Sequence, residues 1–277
     1  MSIDNKFAVL VHACDRYEFL YQGFHIFFQK YWDRSIPCTC YFASEEKDVN
    51  LTGFTNIKSG KGEWSDRLRT VLKQIPEQHI IYFQEDMWLS KPVNRTFFEE
   101  LFLLFQKNSL KQVKLHSARV YKVEPTGDYI SGLSVSKLNN ELSAYLMSHQ
   151  VTLWDKEFLI SQLPPKEHPW RNERKGTKRM RKRNLEIFHL DYFSENGVPP
   201  IGKNKDIGIR SEYYSVSLNA RLNDHVLPFI EELKGSSHFD YAEKLEYNYK
   251  NQLTHDGKGE PRKKDWFKML KNLFKRS

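Results

Sequence analysis

The 277-residue sequence has no uninterrupted apolar run near the roughly 20 residues that a membrane-spanning helix needs. With 28% charged residues and a mean hydropathy of -0.67, this excludes a polytopic membrane protein. Cysteine is scarce. Three of them, an odd number, imply no disulfide framework in a chain this long. Cys38 and Cys40 have no Cys or His at zinc-ligand spacing, and Cys14 ends an apolar run, so all three read as small buried hydrophobes. The opening residues Met1 to Lys6 lack a basic stretch leading into an apolar one, which predicts a cytosolic chain. Internal repeats and low-complexity segments are also missing. What is present, 39% hydrophobic and 14% aromatic residues, suffices for one large domain or a domain with a smaller appendage.

Lys and Arg number 43 against 35 Asp and Glu, a net +8 that is unevenly spread. Eight cations lie between Arg171 and Arg183, with Glu173 the one acid among them. This cluster could neutralise a leaving nucleoside diphosphate, hold a lipid-linked diphosphate, bind nucleic acid, or form a solvated loop around Gly176. The tail from Arg262 is also basic. There, Asp265 could cap a helix with Trp266, Met269, Leu270, Leu273 and Phe274 on one side and lysines on the other. That pattern suits peripheral attachment to a membrane surface, or a terminal helix docked on its own domain.

Short apolar runs at Phe7–Val11, Cys38–Phe42, Ile80–Phe83 and Val113–Leu115 read as strands. Helical spacing appears between them: Phe19, Leu20, Phe24, Phe27 and Phe28; then Trp64, Leu68, Val71, Leu72 and Ile75, with Ser65 or Asp66 as a cap; then Phe97 to Lys107. Alternating strands and helices predict an α/β fold with a mostly parallel central sheet flanked by helices. Ligands in such sheets bind beyond the carboxyl ends of the strands. Acids gather there: Asp15 after the first strand, Glu45 after the second, Glu85-Asp86 after Ile80–Phe83. Adjacent carboxylates after an apolar strand are costly to keep ionised without a bound cation, and a divalent ion on a diphosphate would supply one. They could equally cap the next turn or pair with Arg67 or Arg69.

The segments Trp64-Ser65-Asp66-Arg67-Leu68 and Ile80 to Val93, with Gln84-Glu85-Asp86 inside the second, resemble the core of GT-A glycosyltransferases. They are most similar to small bacterial enzymes of capsule and surface-polysaccharide assembly. The resemblance implies a GT-A-like fold and a nucleotide-sugar donor, with a Mn²⁺ or Mg²⁺ ion on an acidic motif that is usually Asp-x-Asp. Gln84 stands at the first Asp position, so the implied metal ligand is Asp86, with Glu85 beside it. Asp15, Trp64, Asp66 and Arg67 would lie against the nucleotide sugar, and His189 would be a late additional metal ligand. The segments from His149 to Lys156 and from Glu167 to Glu173 are similar to the acceptor half. This implies a carboxylate base on the acceptor hydroxyl in an inverting reaction: Glu173, with Asp155 and Glu167 as alternatives.

The expected layout is a catalytic domain over 1–228, with a donor half to about 120 and an acceptor half to 228, followed by a helical C-terminal segment over 229–277. The expected reaction moves a hexosyl group onto a glycan or lipid-linked glycan of a bacterial surface polysaccharide, at the inner face of the plasma membrane. Two other classes compete. A nucleotidyltransferase should carry a Gly-rich loop after the first strand, where His12-Ala13-Cys14-Asp15 has no glycine. A nucleic-acid- or phosphate-binding module would use the basic cluster, yet no nucleic-acid motif is present, and acids at strand ends repel phosphate without metal.

Overall fold

The computed structural model describes residues 6–201 and 208–257. The chain divides into two compact units, Met1–Val216 and Ser217–Ser277. The break falls between Val216 and Ser217, earlier than the expected boundary after 228.

The first unit grows outward from strand β1 (Phe7–His12), which is buried along its whole length, as a strand covered on both faces must be. Parallel to it lie β2 (Thr39–Ser44) on one side and β4 (His79–Phe83) on the other, with β3 (Thr55–Lys58) outside β2. Beyond β4 come β9 (Thr152–Asp155), β6 (Gln112–His116), β10 (Phe188–Glu195), β11 (Ser211–Ser215) and β5 (Met87–Leu89). β9 runs antiparallel to both β4 and β6, so β6 keeps the direction of β4, and β10 and β11 follow it. The carboxyl ends of β1, β2, β3, β4, β6, β10 and β11 therefore share one edge. The β7–β8 hairpin (Val123–Ile130, Leu133–Leu138) joins the sheet through β10.

Helices cover both faces. Ala8, Leu10, Ile80 and Tyr82 share one core cluster with Leu68, Val71 and Leu72 of α2 (Trp64–Gln74), Leu159 of α4 (Lys156–Ser161) and Met180 of α5 (Pro169–Lys182). On the other face, Phe7 stacks on Phe102 of α3 (Arg95–Lys107) at 3.8 Å. Phe83 meets Phe28 of α1 (Tyr21–Tyr31) edge-on. Gly23 in α1 is the point of closest approach. A Cβ there would lie 2.1 Å from the Trp88 ring, so only glycine lets β5 sit against the helix directly after Glu85-Asp86. This is the α/β arrangement expected from the sequence, a mostly parallel central sheet flanked by helices.

The second unit opens with a two-residue hairpin between β12 (Ser217–Leu218) and β13 (Arg221–Leu222). Its turn residues Asn219 and Ala220 both have positive φ, the geometry that matches strand twist. Helices α6 (Leu227–Lys234) and α7 (Phe239–Lys250) bury Phe229, Ile230, Leu233, Ala242 and Leu245. The basic stretch from Arg262, expected as an amphipathic helix, lies outside the described residues. No helix among the described residues is long and apolar enough to cross a membrane.

Candidate functional site

The carboxyl edge of the sheet carries two kinds of acid. At the ends of β1 and β2 the carboxylates build loops. Asp15 accepts from the backbone amides of Glu45, Glu46 and Lys47 at 2.8, 2.9 and 3.1 Å. Glu45 returns the contact, accepting from the Asp15 amide at 2.9 Å and from the Cys14 thiol. Arg67, buried on α2, closes the group. Its guanidinium donates to the Ala13 carbonyl and to Ser59 Oγ (3.1 Å), and sits 3.3 Å from Glu45 Oε1. One side chain thereby ties together the ends of three strands.

At the end of β4 the acids have no cation at salt-bridge distance among the described residues, and Arg67 opposes the rise of Glu85 only from farther away. Glu85 is buried and its carboxyl is pushed up to about 8, first by burial and then by the negative charge of Asp86. Asp86, half-buried beside it, is pushed up to about 7 by burial. Glu195, at the end of β10, is likewise raised to about 7, by burial and by the charges of Glu173 and Asp86, with Lys114 opposing. A positive charge arriving here would restore the ionised forms. A hard cation suits oxygen donors of this type, although no three of His, Cys, Asp or Glu are grouped to surround a metal among the described residues.

Lys114 lies in the middle of β6 with no exposed surface. Its ammonium donates to Ser148 Oγ at 2.7 Å and rests 5.1 Å from the centre of the Tyr121 ring. Burial pulls it down to about 7, while the charges of Glu173 and Glu195 hold it up. Tyr121 Oη lies 3.3 Å from Ser148 Oγ and 2.8 Å from His116 Nε2, so the ammonium heads a buried hydrogen-bonded chain.

Glu173 comes in from α5. Its Oε1 accepts from the His149 amide at 2.9 Å, and burial raises its pKa. It is not a solvated partner of the surrounding cations. The adjoining Asn172 is pinned by Gln162 O and Glu167 at 2.8 Å each and contacts His149 Nε2 at 3.1 Å. The His149 ring is held neutral, lowered to about 3 chiefly by burial, and packs 4.2 Å from the Trp64 ring. His12, at the end of β1, also lies 5.9 Å from the Trp64 ring. Neither nitrogen of His12 has a hydrogen-bond partner among the described residues, and burial depresses its pKa.

The remaining sequence candidates sit elsewhere or do other work. Asp66 accepts from the Lys166 amide at 3.0 Å and, with Ser65, clasps the connection into α5 rather than capping α2, whose N-cap is Glu63. Glu167 is held by Asn172 and Arg179. Asp155 is not brought to the site. It pairs with His79 at the opposite edge of the sheet, caps α4 through the Phe158 amide (2.9 Å) and lies 3.5 Å from Lys111. His189 is not brought to Asp86 either. It lies near the start of β10, whose far end is Glu195, and its Nε2 faces the His116 carbonyl at 3.0 Å. Trp154 is core, and Trp170 is half exposed.

Sequence reasoning missed Lys114, His149 and Glu195. A lysine between Val113 and Leu115 was a visible signal, because a strand otherwise apolar buries what it carries. Glu195 follows the strand-end pattern already applied to Glu45. His149 had no comparable mark.

No known protein family and no curated protein matches the sequence. Among solved structures, S. aureus TarS aligns with a TM-score of 0.46 and 10% identity over 89% of this chain and 43% of that one. This chain thus spans less than half of that protein's length. TarS 1-349 in complex with UDP aligns at 0.47 and 11% identity, over 89% and 71% of the two chains. UDP-glucose pyrophosphorylase complexed with UDP-glucose aligns at 0.43 and 10%, over 67% and 90%. Likenesses this distant assign no reaction and no substrate.

Proposed function

We propose that the protein is a GT-A-like glycosyltransferase that moves a sugar from a nucleotide-sugar donor to a glycan or lipid-linked glycan, in bacterial surface-polysaccharide assembly. The observation that carries this reading is the gathering of two groups about Glu195 at the carboxyl edge of the sheet, where the charges of Asp86 and Glu173 both raise its pKa. Glu85 and Asp86 are raised carboxylates calling for positive charge, and Glu173 is a half-buried carboxylate beside buried Lys114.

The donor diphosphate lies beyond the end of β4, with the Trp64–Arg67 turn and the Asp15 loop shaping the nucleotide side. Asp86, with Glu85 beside it, would hold a divalent Mn²⁺ or Mg²⁺ ion, and the chemistry supplied there would be neutralisation of the diphosphate charge. The base is Glu173. Its Oε1 is fixed by the His149 amide, leaving Oε2 to take the proton of the acceptor hydroxyl as the new glycosidic bond forms. Burial makes this carboxylate a stronger proton acceptor, and Lys114 keeps its ionised form accessible. Direct attack by the acceptor inverts the anomeric centre. The basic C-terminal stretch would hold the enzyme at the inner face of the membrane, near a lipid-linked acceptor.

A nucleotidyltransferase is the competing reading, disfavoured by the glycine-free turn after β1. Calorimetry with a panel of nucleoside diphosphates and their sugars, with and without Mn²⁺, on wild type and Asp86→Ala tests the proposal. Metal-dependent binding lost in Asp86→Ala supports it. Failure of every donor to bind in the presence of metal overturns it, as does productive turnover of a nucleoside triphosphate with a sugar phosphate.

A further inference from the structure

Helix α5 is two-sided. Asn172, Gly176, Thr177 and Met180 are buried, and Glu173 turns to the His149 amide. The other side is a row of cations: Arg171, Arg174, Lys175 and Lys178 are exposed. With Arg181 and Tyr145 they line a groove of about 570 Å³ into which no acid projects among the lining residues. The two walls are fastened. Arg181 donates to the carbonyls of Asn140 and Ser143 at 2.7 and 2.8 Å, which holds the loop carrying Tyr145 against the helix.

The cations differ in what they already do. Arg181 is committed to that loop, and Lys175 lies 3.8 Å from Glu167. Arg171, Arg174 and Lys178 have no hydrogen-bond or ion-pair partner among the described residues. Like charges at this spacing on one helix face repel each other and weaken the helix. They serve neither the core nor the loop. From Arg171 to Lys178 the row extends about 10 Å along the axis at the α-helical rise, longer than a single phosphate group. The opposite side of the same helix carries the proposed base. A ligand anchored in the groove is therefore held by the element that positions Glu173.

We propose that this groove binds the anionic part of the acceptor, a glycan whose sugars carry phosphate or phosphodiester groups; its role as acceptor rests on the glycosyl-transfer reading above. Single-stranded nucleic acid has the same charge but is held by successive aromatic platforms. The groove offers one ring, Tyr145.

The test uses the full chain and fluorescence anisotropy with three labelled probes. These are a trisaccharide joined by phosphodiesters, the same trisaccharide joined by glycosidic bonds, and a single-stranded oligodeoxynucleotide of equal charge. The phosphodiester glycan is expected to bind tightest. It should lose about tenfold or more in the triple variant Arg171→Gln/Arg174→Gln/Lys178→Gln, with a shallower dependence on salt. Unchanged binding in the triple variant overturns the proposal, and so does tighter binding of the oligonucleotide than of the phosphodiester glycan. Nucleoside diphosphate binding, measured on the same proteins, separates the two readings. Groove-dependent glycan binding in a protein that takes no donor removes the transferase reading and leaves the anion site standing.

Discussion

Two stretches of one sheet edge carry the same sequence signature, an acid just after an apolar strand, and put it to opposite uses. At β1 and β2, Asp15 and Glu45 are satisfied from within the protein by backbone amides, a thiol and the Arg67 guanidinium. At β4 and β10, Glu85, Asp86 and Glu195 are pushed toward their protonated forms because burial is not balanced by cations at hydrogen-bond distance among the described residues. The difference separates architecture from chemistry. A carboxylate whose partners are built in shapes a loop, and one left short of positive charge is where an external ligand gains most.

Breaking the first region should cost stability. Arg67→Met removes a buried cation and strands Glu45, Ser59 and the Ala13 carbonyl, so a loss of about 3 kcal/mol or more is expected by urea denaturation. A loss below 1 kcal/mol, about what a surface pair contributes, would erase the contrast drawn here.

Breaking the second region should cost activity instead. Asp86→Asn keeps the shape and removes a charge that burial already opposes, so its stability should match or exceed wild type. Turnover should fall about 100-fold, equivalent to about 2.7 kcal/mol of transition-state stabilisation. The pair of substitutions gives a crossed result only if the two regions differ as described.

The pH dependence of stability sharpens the same point. Glu85 has a folded-state pKa above its unfolded value, so both states are protonated at low pH and no penalty applies. As pH rises from the ordinary glutamate range through about 8, the unfolded state ionises first and the folded state loses stability. Lys114, lowered to about 7, acts with the opposite sign above neutrality. The wild-type stability minus that of Glu85→Gln isolates the carboxylate. This difference should decline between about pH 5 and 8, with a limiting slope near 1.4 kcal/mol per pH unit. A flat difference in metal-free buffer would show that Glu85 is already charge-balanced.

What the sequence made legible follows from which physical signals are local. The strands at Phe7, Ile80 and Val113 and helices α1 to α3 announce themselves by apolar spacing, and the acids at strand ends follow from direction alone. Helix α5 did not, because its buried face is Asn172, Gly176, Thr177 and Met180, with one large apolar residue to mark the period. Gly176 reads as a loop residue, yet it is there for contact: a Cβ would come within 2.8 Å of Met147 Cγ. Strand β7 is exposed for most of its length and has no apolar alternation to reveal it. Which strand-end acids have a cation at salt-bridge distance among the described residues depended on contacts between distant segments, such as Arg67 reaching Glu45, Ala13 and Ser59, and no local pattern encodes those.

The smallest expected effect bears on the edge of the sheet opposite the proposed site. Asp155 was a candidate base by resemblance, but β9 runs against β4, so its end lies beside His79, opposite the ends of β1 and β4. There its carboxylate caps α4 through the Phe158 amide. Asp155→Ala should therefore cost about 1 kcal/mol of stability, the usual loss for an N-cap, and leave kcat unchanged. Glu173→Gln, at the proposed base, should lower kcat with the pH profile of the base removed. If Asp155→Ala instead lowered kcat as far as Glu173→Gln, the acceptor would have to be placed on the other side of the sheet.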